Sequence, residues 1–495
     1  MSSALSQAHP QEVLPVDDVA FADGNLTWTQ AGTSEKVDGD EILFILEAPG
    51  TNIVDLEFII CCLKEVPEDQ GNPYRLSLFR TTEIPAEVLE QYIVRDLPPY
   101  LRHGVNNEVD VIVSTKSGTG LALRVWEDVL RHLWQLIAGR VGEQHTLQAH
   151  GHQAPTNELY YRLSITESAE TIRNFSKSVW ASKDQSPRSR TIVLLSGDGG
   201  VVELLNGSNQ DSSHATLPLM ALLPLGTGNG LFHSMHKPLY LSPGPSPLVH
   251  GLRTLFQGTP SDLPVFRVSF SPGSRIVTFT DKVSATGESN DDAKFLKEET
   301  SVSHLNGAIV ASYGFHASIV YESDTPEYRV HGNKRFGMVA QELLREAHAY
   351  GAQVSIRRPG SSKFEAIPRD THAYVLATLV SNLERTFTIS PASKPLQGQL
   401  RLVHFGPVGG ERTMDVMMKA YDEGKHVDIK WDDGEQVGYD EVEEVQVVIL
   451  EEEERWRKVC IDGTIVEVPR GGQMNVKMLE RGPFRVLADS RLLRR

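Results

Sequence analysis

Short apolar runs separated by polar turns fill the first part of the chain, and their alternation predicts strands. Four of these runs lie between residues 26 and 82. Residues 85–97 follow with apolar side chains three to four residues apart. Alternation is typical of half-buried strands, whereas the wider spacing is typical of a helix. We therefore predict a small β-rich module over residues 1–103, closed by one helix.

The pattern changes near residue 104, where apolar strands begin to alternate with amphipathic helices. The predicted strands cover residues 109–113, 160–165, 192–195 and 219–223, and predicted helices cover 121–137, 168–181 and 201–206. Such alternation favours a largely parallel sheet that binds ligands at the carboxyl ends of its strands. We assign residues 104–258 to this α/β domain.

Beyond residue 258 the apolar runs are again short and rich in β-branched residues. One helix is predicted near residues 336–350. Residues 283–301 are charged and small, which predicts a mobile loop. Residues 259–495 are therefore predicted to form a second, mainly antiparallel β domain.

The composition limits the class of protein. The chain has 495 residues, enough for two or three domains. A formal net charge of −17 argues against a nucleic-acid-binding protein, which needs a basic surface. No apolar run approaches the roughly 18–20 residues of a membrane span, and the start of the chain is polar, unlike a signal peptide. We expect a cytoplasmic protein without a transmembrane segment. Nothing in the sequence indicates its oligomeric state.

Two glycine-rich turns directly after apolar strands carry the candidate chemistry. The first is Gly-Asp-Gly-Gly at residues 197–200, and the second is Pro-Leu-Gly-Thr-Gly-Asn at residues 224–229. Glycine lets backbone N–H groups approach a phosphate closely. Asp198 adds a carboxylate, an acceptor for a proton or Mg²⁺ of the kind that phosphoryl transfer needs. Either turn alone could be a plain strand-to-helix turn, and Asp198 could simply cap the following helix.

A third glycine-rich turn, residues 114–120, lies between a predicted strand and a predicted helix. N–H groups at the start of a helix favour an anion. The turn lacks the Gly-Lys-Ser/Thr ending of a Walker A loop, and no Gly-x-Gly-x-x-Gly follows a strand. P-loop nucleoside triphosphatases and Rossmann dehydrogenases are therefore disfavoured.

The paired Gly-Asp-Gly-Gly and Gly-Thr-Gly-Asn motifs, at this spacing, resemble the catalytic superfamily of diacylglycerol, sphingosine and ceramide kinases. The motif Tyr-Arg-x-x-Gly-x-x-Arg-Phe at residues 328–336 is similar to a segment of sphingosine kinases. The resemblance implies a nucleotide-binding α/β domain like those of NAD and diacylglycerol kinases, followed by a β-rich lipid-binding domain. It also implies a pleckstrin-homology-like module at the N-terminus, for which an extra sheet without a ligand is the alternative.

The resemblance implies roles for individual residues. Asp198 would be the acid–base residue, and Asp462 would help to position Mg²⁺. Arg329 and Arg335 would contact the phosphates of ATP, although surface ion pairs are the ordinary role of arginine. Asp462 and Gly463 also fit a type I′ hairpin turn. The nucleotide-binding residues implied are Ser114, Lys116, Thr166, Ser196, Gly199, Glu203, Thr227, Arg329, Arg335, Asp462 and Gly463.

The expected function is that of an ATP- and Mg²⁺-dependent lipid kinase in peripheral contact with membranes. A sphingoid base is the leading acceptor, with diacylglycerol or ceramide as alternatives, and a weakly active nucleotide- or lipid-binding relative as the rival. Two departures from the family pattern bear on this. Ser114-Thr115 replaces Asn-Pro, and residues 315–320 lack the aspartate that holds a sphingoid head group. Glu322 and Asp324, slightly later, are the candidate substrate-binding carboxylates.

Overall fold

The computed structural model describes most of the chain. The described residues are 12–30, 32–49, 56–69, 73–115, 117–118, 120–148, 160–168, 170–181, 188–207, 216–280, 296–332 and 334–493. Within these ranges, no helix combines the length and apolar character needed to cross a bilayer.

The N-terminal module consists of two small sheets and one helix. Its strands are β1 Val13–Pro15, β2 Asp17–Ala22, β3 Asn25–Gln30, β4 Thr33–Asp38, β5 Ile42–Pro49, β6 Leu56–Glu65, β7 Tyr74–Thr81 and β8 Ile93–Val94, and its helix is α1 Ala86–Tyr92. The strand orders are β1-β7-β6-β5-β8 and β2-β3-β4. The predicted helix over residues 85–97 is wrong in its second half, because Ile93 pairs with Ile45 as part of a strand.

The module packs directly on the α/β domain. Buried side chains of β5, β6 and β7 share one apolar core with the helices of that domain. Arg253, which is 7% exposed, donates hydrogen bonds across the contact to the carbonyl oxygens of Ile42 (2.8 Å) and Gly39 (3.0 Å). A buried guanidinium is stable only with such partners, so this contact holds the module against the catalytic region.

The α/β domain contains the predicted parallel sheet. Its strands are β9 Asn107–Val113, β10 Arg162–Ile165, β11 Ser189–Ser196, β12 Leu219–Pro224 and β13 Thr259–Asp262, and its helices are α2 Ala122–Arg124, α3 Arg131–Gln148, α4 Thr171–Ala181, α5 Asp198–Asn206, α6 Gly230–His236 and α7 Pro247–Gln257. A π-helical segment joins α2 to α3. Strands β10, β9, β11 and β12 pair in parallel in that order, so their carboxyl ends share one edge.

The following region is mainly antiparallel, as predicted. Its strands are β14 Phe266–Phe270, β15 Arg275–Thr280, β16 Leu296–Ser301, β17 His304–Gly307, β18 Val310–Gly314, β19 Tyr350–Arg357, β20 Phe364–Ala366, β21 Thr371–His372, β22 Tyr374–Thr378, β23 Leu400–Phe405, β24 Gly438–Val442, β25 Glu444–Ile449, β26 Lys458–Ile461, β27 Thr464–Glu467 and β28 Gln473–Met478. Its helices are α8 Phe315–Ser323, α9 Pro326–Arg329, α10 Lys334–Glu346 and α11 Gly410–Ala420. The two sheets have the orders β17-β14-β28-β25-β19-β20, with β21 on β19, and β16-β15-β27-β26-β18-β22-β23-β24.

The structure corrects the predicted elements of this region in two places. Residues 296–301 of the predicted mobile loop form β16, which pairs with β15, and residues 283–295 lie outside the described residues. Helices α8 and α11 were not predicted. The apolar run before α8 forms strand β18, which ends at Gly314. The φ of Gly314, +87°, turns the chain into the helix. A Cβ there would lie 2.7 Å from the carbonyl oxygen of Ala373, so only glycine fits this turn.

The chain returns to the α/β sheet at its end. Strand β29, Arg485–Ala488, pairs in parallel with β12 and antiparallel with β13, and helix α12, Ser490–Leu493, follows. The sheet order is therefore β10-β9-β11-β12-β29-β13. Two of its strands lie beyond residue 258, the predicted end of the catalytic domain.

Candidate active site

Three glycine-rich turns meet at the carboxyl edge of the parallel sheet. They follow β9, β11 and β12 and touch through Gly118, Gly197 and Gly226. A Cβ on Gly118 would lie 2.4 Å from the carbonyl carbon of Gly226, and a Cβ on Gly226 would lie 2.3 Å from the Cα of Gly197. Ser117 Oγ accepts a hydrogen bond from the Gly197 N–H at 2.8 Å. No side chain fits between these backbones, which explains one glycine in each of the three motifs.

Asn229 fixes the third turn. Its φ of +52° is left-handed, a conformation that asparagine tolerates better than most residues. Its side chain accepts from the Gly226 N–H at 2.9 Å and donates to the Gly226 carbonyl oxygen at 2.8 Å. The turn is thereby closed on itself, and α6 begins directly after it.

Asp198 is the first residue of α5 and is half-buried. Its Oδ2 accepts from the Gly230 N–H at 2.7 Å and its Oδ1 from the Leu231 N–H at 3.2 Å. The carboxylate therefore caps helix α6. The alternative drawn from the sequence, that Asp198 caps the helix directly after it, names the wrong helix. Burial raises the pKa of Asp198 to about 6, and the two N–H groups oppose that rise. Since a carboxylate accepts about four hydrogen bonds, both oxygens keep room for another donor.

The second carboxylate is presented by the hairpin between β26 and β27. Asp462 and Gly463 have φ values of +47° and +89°, which confirms the predicted type I′ turn. Asp462 is 7% exposed and accepts from the N–H groups of Ala308, Ile309 and Val310 at 2.7, 3.1 and 2.5 Å. Burial, reinforced by the negative charge of Asp198, raises the pKa of Asp462 to about 7.

The two carboxylates line one cleft of about 500 Å³ between the α/β sheet edge and the β-rich region. Its lining residues are Ser117, Gly118, Gly197, Asp198, Gly199, Val202, Glu203, Gly226, Thr227, Gly228, Ile309, Val310, His316, Val320, Phe336, Leu383, Asp462, Gly463 and Thr464. One wall is rich in glycine N–H groups, and the other is mostly apolar. A phosphate-bearing ligand and an apolar ligand could therefore meet at Asp198.

Six residues named from the sequence line this cleft: Asp198, Gly199, Glu203, Thr227, Asp462 and Gly463. Thr227 is exposed at the tip of its turn. Glu203 is engaged in an ion pair with Arg173 of α4, at 2.7 Å between Nε and Oε2. Glu203 therefore braces α5 against α4 in addition to facing the cleft.

Three other residues predicted to bind the nucleotide do not line the cleft. Ser114, Thr166 and Ser196 are at or just past the ends of strands, and Lys116 lies outside the described residues. The Thr115 N–H donates to Thr166 Oγ1 at 3.1 Å, and Thr115 Oγ1 donates to the Thr166 carbonyl oxygen at 3.0 Å. The first turn is thus fixed by Thr115 and Thr166.

Arg329 and Arg335 converge, but on a carboxylate of this chain. Arg329 Nη2 lies 2.8 Å from Asp324 Oδ2, and Arg335 Nη1 lies 3.8 Å from Asp324 Oδ1. The Arg335 guanidinium also lies over the ring of Phe336, 4.9 Å from its centroid, and Phe336 lines the cleft. The pair is therefore held at the margin of the cleft.

The two predicted substrate-binding carboxylates do not line the cleft. Asp324 pairs with the two arginines, and Glu322 Oε1 lies 2.7 Å from Arg455 Nε. Both side chains instead tie α8 to neighbouring segments. Their role in acceptor binding remains a prediction that this geometry does not favour.

Sequence reasoning missed the acceptor-side wall of the cleft, in particular His316 and Val320 of α8. They are four residues apart and so lie on one face of the helix. The signal that could have found them is Gly314, a glycine directly after an apolar strand, as in the three predicted turns. It was missed because the apolar run continues through Phe315 without a polar break.

Comparison with known proteins gives one family match and several similar solved structures. Residues 108–252 match the family model of the diacylglycerol kinase catalytic domain. A crystal structure of a diacylglycerol kinase from Bacillus anthracis str. Sterne is 12% identical, with a TM-score of 0.45, over 78% of this chain and 98% of that chain. Two further structures from the same strain, over the same shares, are 12% and 13% identical with TM-scores of 0.46 and 0.44. No curated protein matches the sequence.

Proposed function

We propose, from the premise that residues 108–252 are a diacylglycerol-kinase catalytic domain and the chain a lipid kinase, that the cleft transfers the γ-phosphate of ATP to a lipid hydroxyl. One observation carries this proposal. The half-buried carboxylate of Asp198 lies between three glycine-rich turns on one side and an apolar wall on the other. A proton acceptor is thus placed where a phosphate and a lipid would meet.

The glycine-rich wall would hold the nucleotide. Backbone N–H groups in such turns, together with the positive end of α5, stabilise phosphate oxygens without a side chain. Thr227 adds an exposed hydroxyl, and Arg329 and Arg335 add positive charge at the margin. Phosphoryl transfer depends mostly on positioning and charge neutralisation, which this wall would supply.

The two aspartates fit a divalent cation that arrives with the nucleotide. Asp198 and Asp462 both have raised pKa values, and the charge of Asp198 contributes to the rise at Asp462. A cation near both would relieve that repulsion. Bound Mg²⁺ would neutralise charge on the phosphate oxygens. Asp462 would act chiefly as a support, since its oxygens already accept from three N–H groups.

Asp198 would take the proton of the acceptor hydroxyl. Its pKa of about 6 leaves it ionised at neutral pH and makes it a better base than an ordinary aspartate. The N–H groups of Gly230 and Leu231 fix the carboxylate without protonating it. The helix that they begin, α6, therefore orients the base.

The acceptor is best described as a lipid with an uncharged head group. A buried ammonium group needs a carboxylate partner. The carboxylates lining the described part of the cleft are Asp198, Glu203 and Asp462, and each already has a task or a partner. Glu322 and Asp324 are paired with arginines away from the lining. Diacylglycerol or ceramide is therefore favoured over the sphingoid base expected from the sequence.

The test is transfer of radiolabelled phosphate from γ-³²P-ATP to diacylglycerol, ceramide or sphingosine in mixed micelles. We expect product with an uncharged acceptor and at least tenfold less with sphingosine. Product with sphingosine alone would reverse the choice of acceptor but keep the lipid kinase. ATP binding without transfer to any of the three would support the rival, a catalytically weak binding protein.

A further inference from the structure

One polar residue of the apolar wall has no role in the catalysis described so far. His316 lies in the first turn of α8, directly after the glycine turn at Gly314, and lines the cleft with Val320. The turn is rigid, because the φ of +87° and the close approach of Ala373 both require glycine. The imidazole is therefore held at a fixed place on the wall that faces Asp198.

The ring of His316 is held from behind. Its Nδ1 lies 2.7 Å from Oγ of Ser312, a fully buried residue of β18. Tyr374 packs edge-on against the ring, with centroids 6.4 Å apart. The other ring nitrogen, Nε2, has no hydrogen-bond partner among the described residues and is accessible to solvent. The wall therefore offers one unused polar atom to a ligand.

The chemistry of this atom selects uncharged partners. Burial lowers the pKa of His316 to about 4, so the imidazole is neutral at physiological pH. A neutral ring nitrogen donates or accepts one hydrogen bond, according to its tautomer. A hydroxyl group satisfies either tautomer, whereas the neutral nitrogen offers an ammonium group no compensating charge of its own.

We propose that His316 binds the head group of the lipid acceptor, with Nε2 hydrogen-bonded to a hydroxyl or ester oxygen of an uncharged lipid. This inference rests on the proposed kinase function and names the residue that recognises the acceptor. Asp198 would take the proton of the reacting hydroxyl, and His316 would hold a neighbouring oxygen of the same head group. Ser312 is then a positioning residue that acts through His316.

The test compares His316→Leu, His316→Gln and Ser312→Ala, assayed with diacylglycerol in mixed micelles and with ATP varied separately. A lost neutral hydrogen bond corresponds to about a 2- to 13-fold change in affinity. We expect His316→Leu to raise the KM for diacylglycerol by about that factor while the KM for ATP stays unchanged. His316→Gln, which keeps a polar group, should recover most of the loss, and Ser312→Ala should lie between the two.

His304 provides a matched control. Its Nδ1 lies 3.1 Å from Oγ of Ser303, but the pair is exposed on β17 and does not line the cleft. His304→Leu should leave both KM values unchanged. An unchanged KM for diacylglycerol in His316→Leu would overturn the inference, and so would an equal rise in both KM values. A wild-type enzyme that prefers sphingosine would also overturn it, while leaving the kinase function intact. No transfer to any lipid by the wild type would instead refute the proposed function.

Discussion

The two Asp-Gly turns of the cleft, at residues 198–199 and 462–463, look alike in sequence but differ in environment. Asp198 begins a helix, is half-buried and accepts two N–H groups, from Gly230 and Leu231. Asp462 lies in a hairpin, is 7% exposed and accepts from three N–H groups. Both have raised pKa values for the same main reason, which is burial.

The difference supports the proposal that Asp198 reacts with the substrate and that Asp462 has a supporting role. Asp198 keeps an open side toward the cleft, so a substrate hydroxyl can approach it. Asp462 is enclosed, and its bonds hold the segment between β17 and β18 that forms part of the apolar wall. A perturbed pKa alone therefore does not distinguish the two carboxylates.

Replacing Asp198 gives the sharpest test of this comparison. Asp198→Asn keeps the size of the side chain but removes the proton acceptor. We expect kcat to fall about 10²–10⁴-fold, as for the loss of a general base. Thermal unfolding should change by less than in Asp462→Asn, because two backbone N–H groups depend on Asp198 and three depend on Asp462. A kcat within a few-fold of the wild type would remove Asp198 from the proton-transfer step.

The arginine pair extends the comparison to a third aspartate, Asp324. Arg329→Ala and Arg335→Ala should each raise the KM for ATP by about 10- to 100-fold, the range for charge-assisted hydrogen bonds. Asp324→Asn should change the KM for ATP in the same assay, since it releases both guanidinium groups, and leave the choice of lipid unaltered. A shift in lipid preference would return Asp324 to the substrate site. A lower melting temperature with unchanged kinetics would show that the arginines serve the fold.

Asp462→Asn tests whether Asp462 stabilises the structure or takes part in the reaction. The amide would place an N–H₂ group against backbone donors and leave at least one of them unsatisfied, which costs about 1–3 kcal/mol. We expect a clear loss of stability in urea unfolding and a fall in kcat smaller than that of Asp198→Asn. A loss of activity as large as that of Asp198→Asn, with unchanged stability, would assign Asp462 to the chemistry and erase the distinction.

The pH dependence tests the state of Asp198 in the wild type. A base must be ionised, so activity should be full above the pKa and fall as the pH drops through about 6. Below that value the rate should fall about tenfold per pH unit, as expected for one protonation. The residual activity of Asp198→Asn should lack this step. A step near pH 4, the ordinary aspartate range, would mean that burial does not control this carboxylate.

The glycine-rich turns of the site were predictable because they depend on local sequence rules. A strand followed by glycine marks each of the three turns. The close contacts of Gly118, Gly197 and Gly226, and the positive φ of Gly118, explain why. The link to Asp462, far along the chain, came from the resemblance alone. No local pattern relates the hairpin to residues 308–310, whose N–H groups it binds.

The acceptor side was less predictable because it depends on tertiary contacts. The resemblance suggested Glu322 and Asp324 as ligands, because they follow the Gly-Phe segment at residues 314–315. In the fold they pair instead with Arg455, Arg329 and Arg335. His316 carried no motif, and its role follows only from the buried hydroxyl of Ser312 behind it. The sequence also contained no signal that the chain returns to the α/β sheet, since Arg485–Ala488 is a short apolar segment like many others.

That return has a consequence for how the protein is made. Strand β29 fills the place between β12 and β13, so a growing chain that already carries every glycine-rich turn still has a gap in its central sheet. Until residues 485–488 leave the ribosome, the edge of β12 is open to unwanted pairing. The α/β sheet therefore cannot be completed before the whole β-rich region, residues 266–478, has been synthesised.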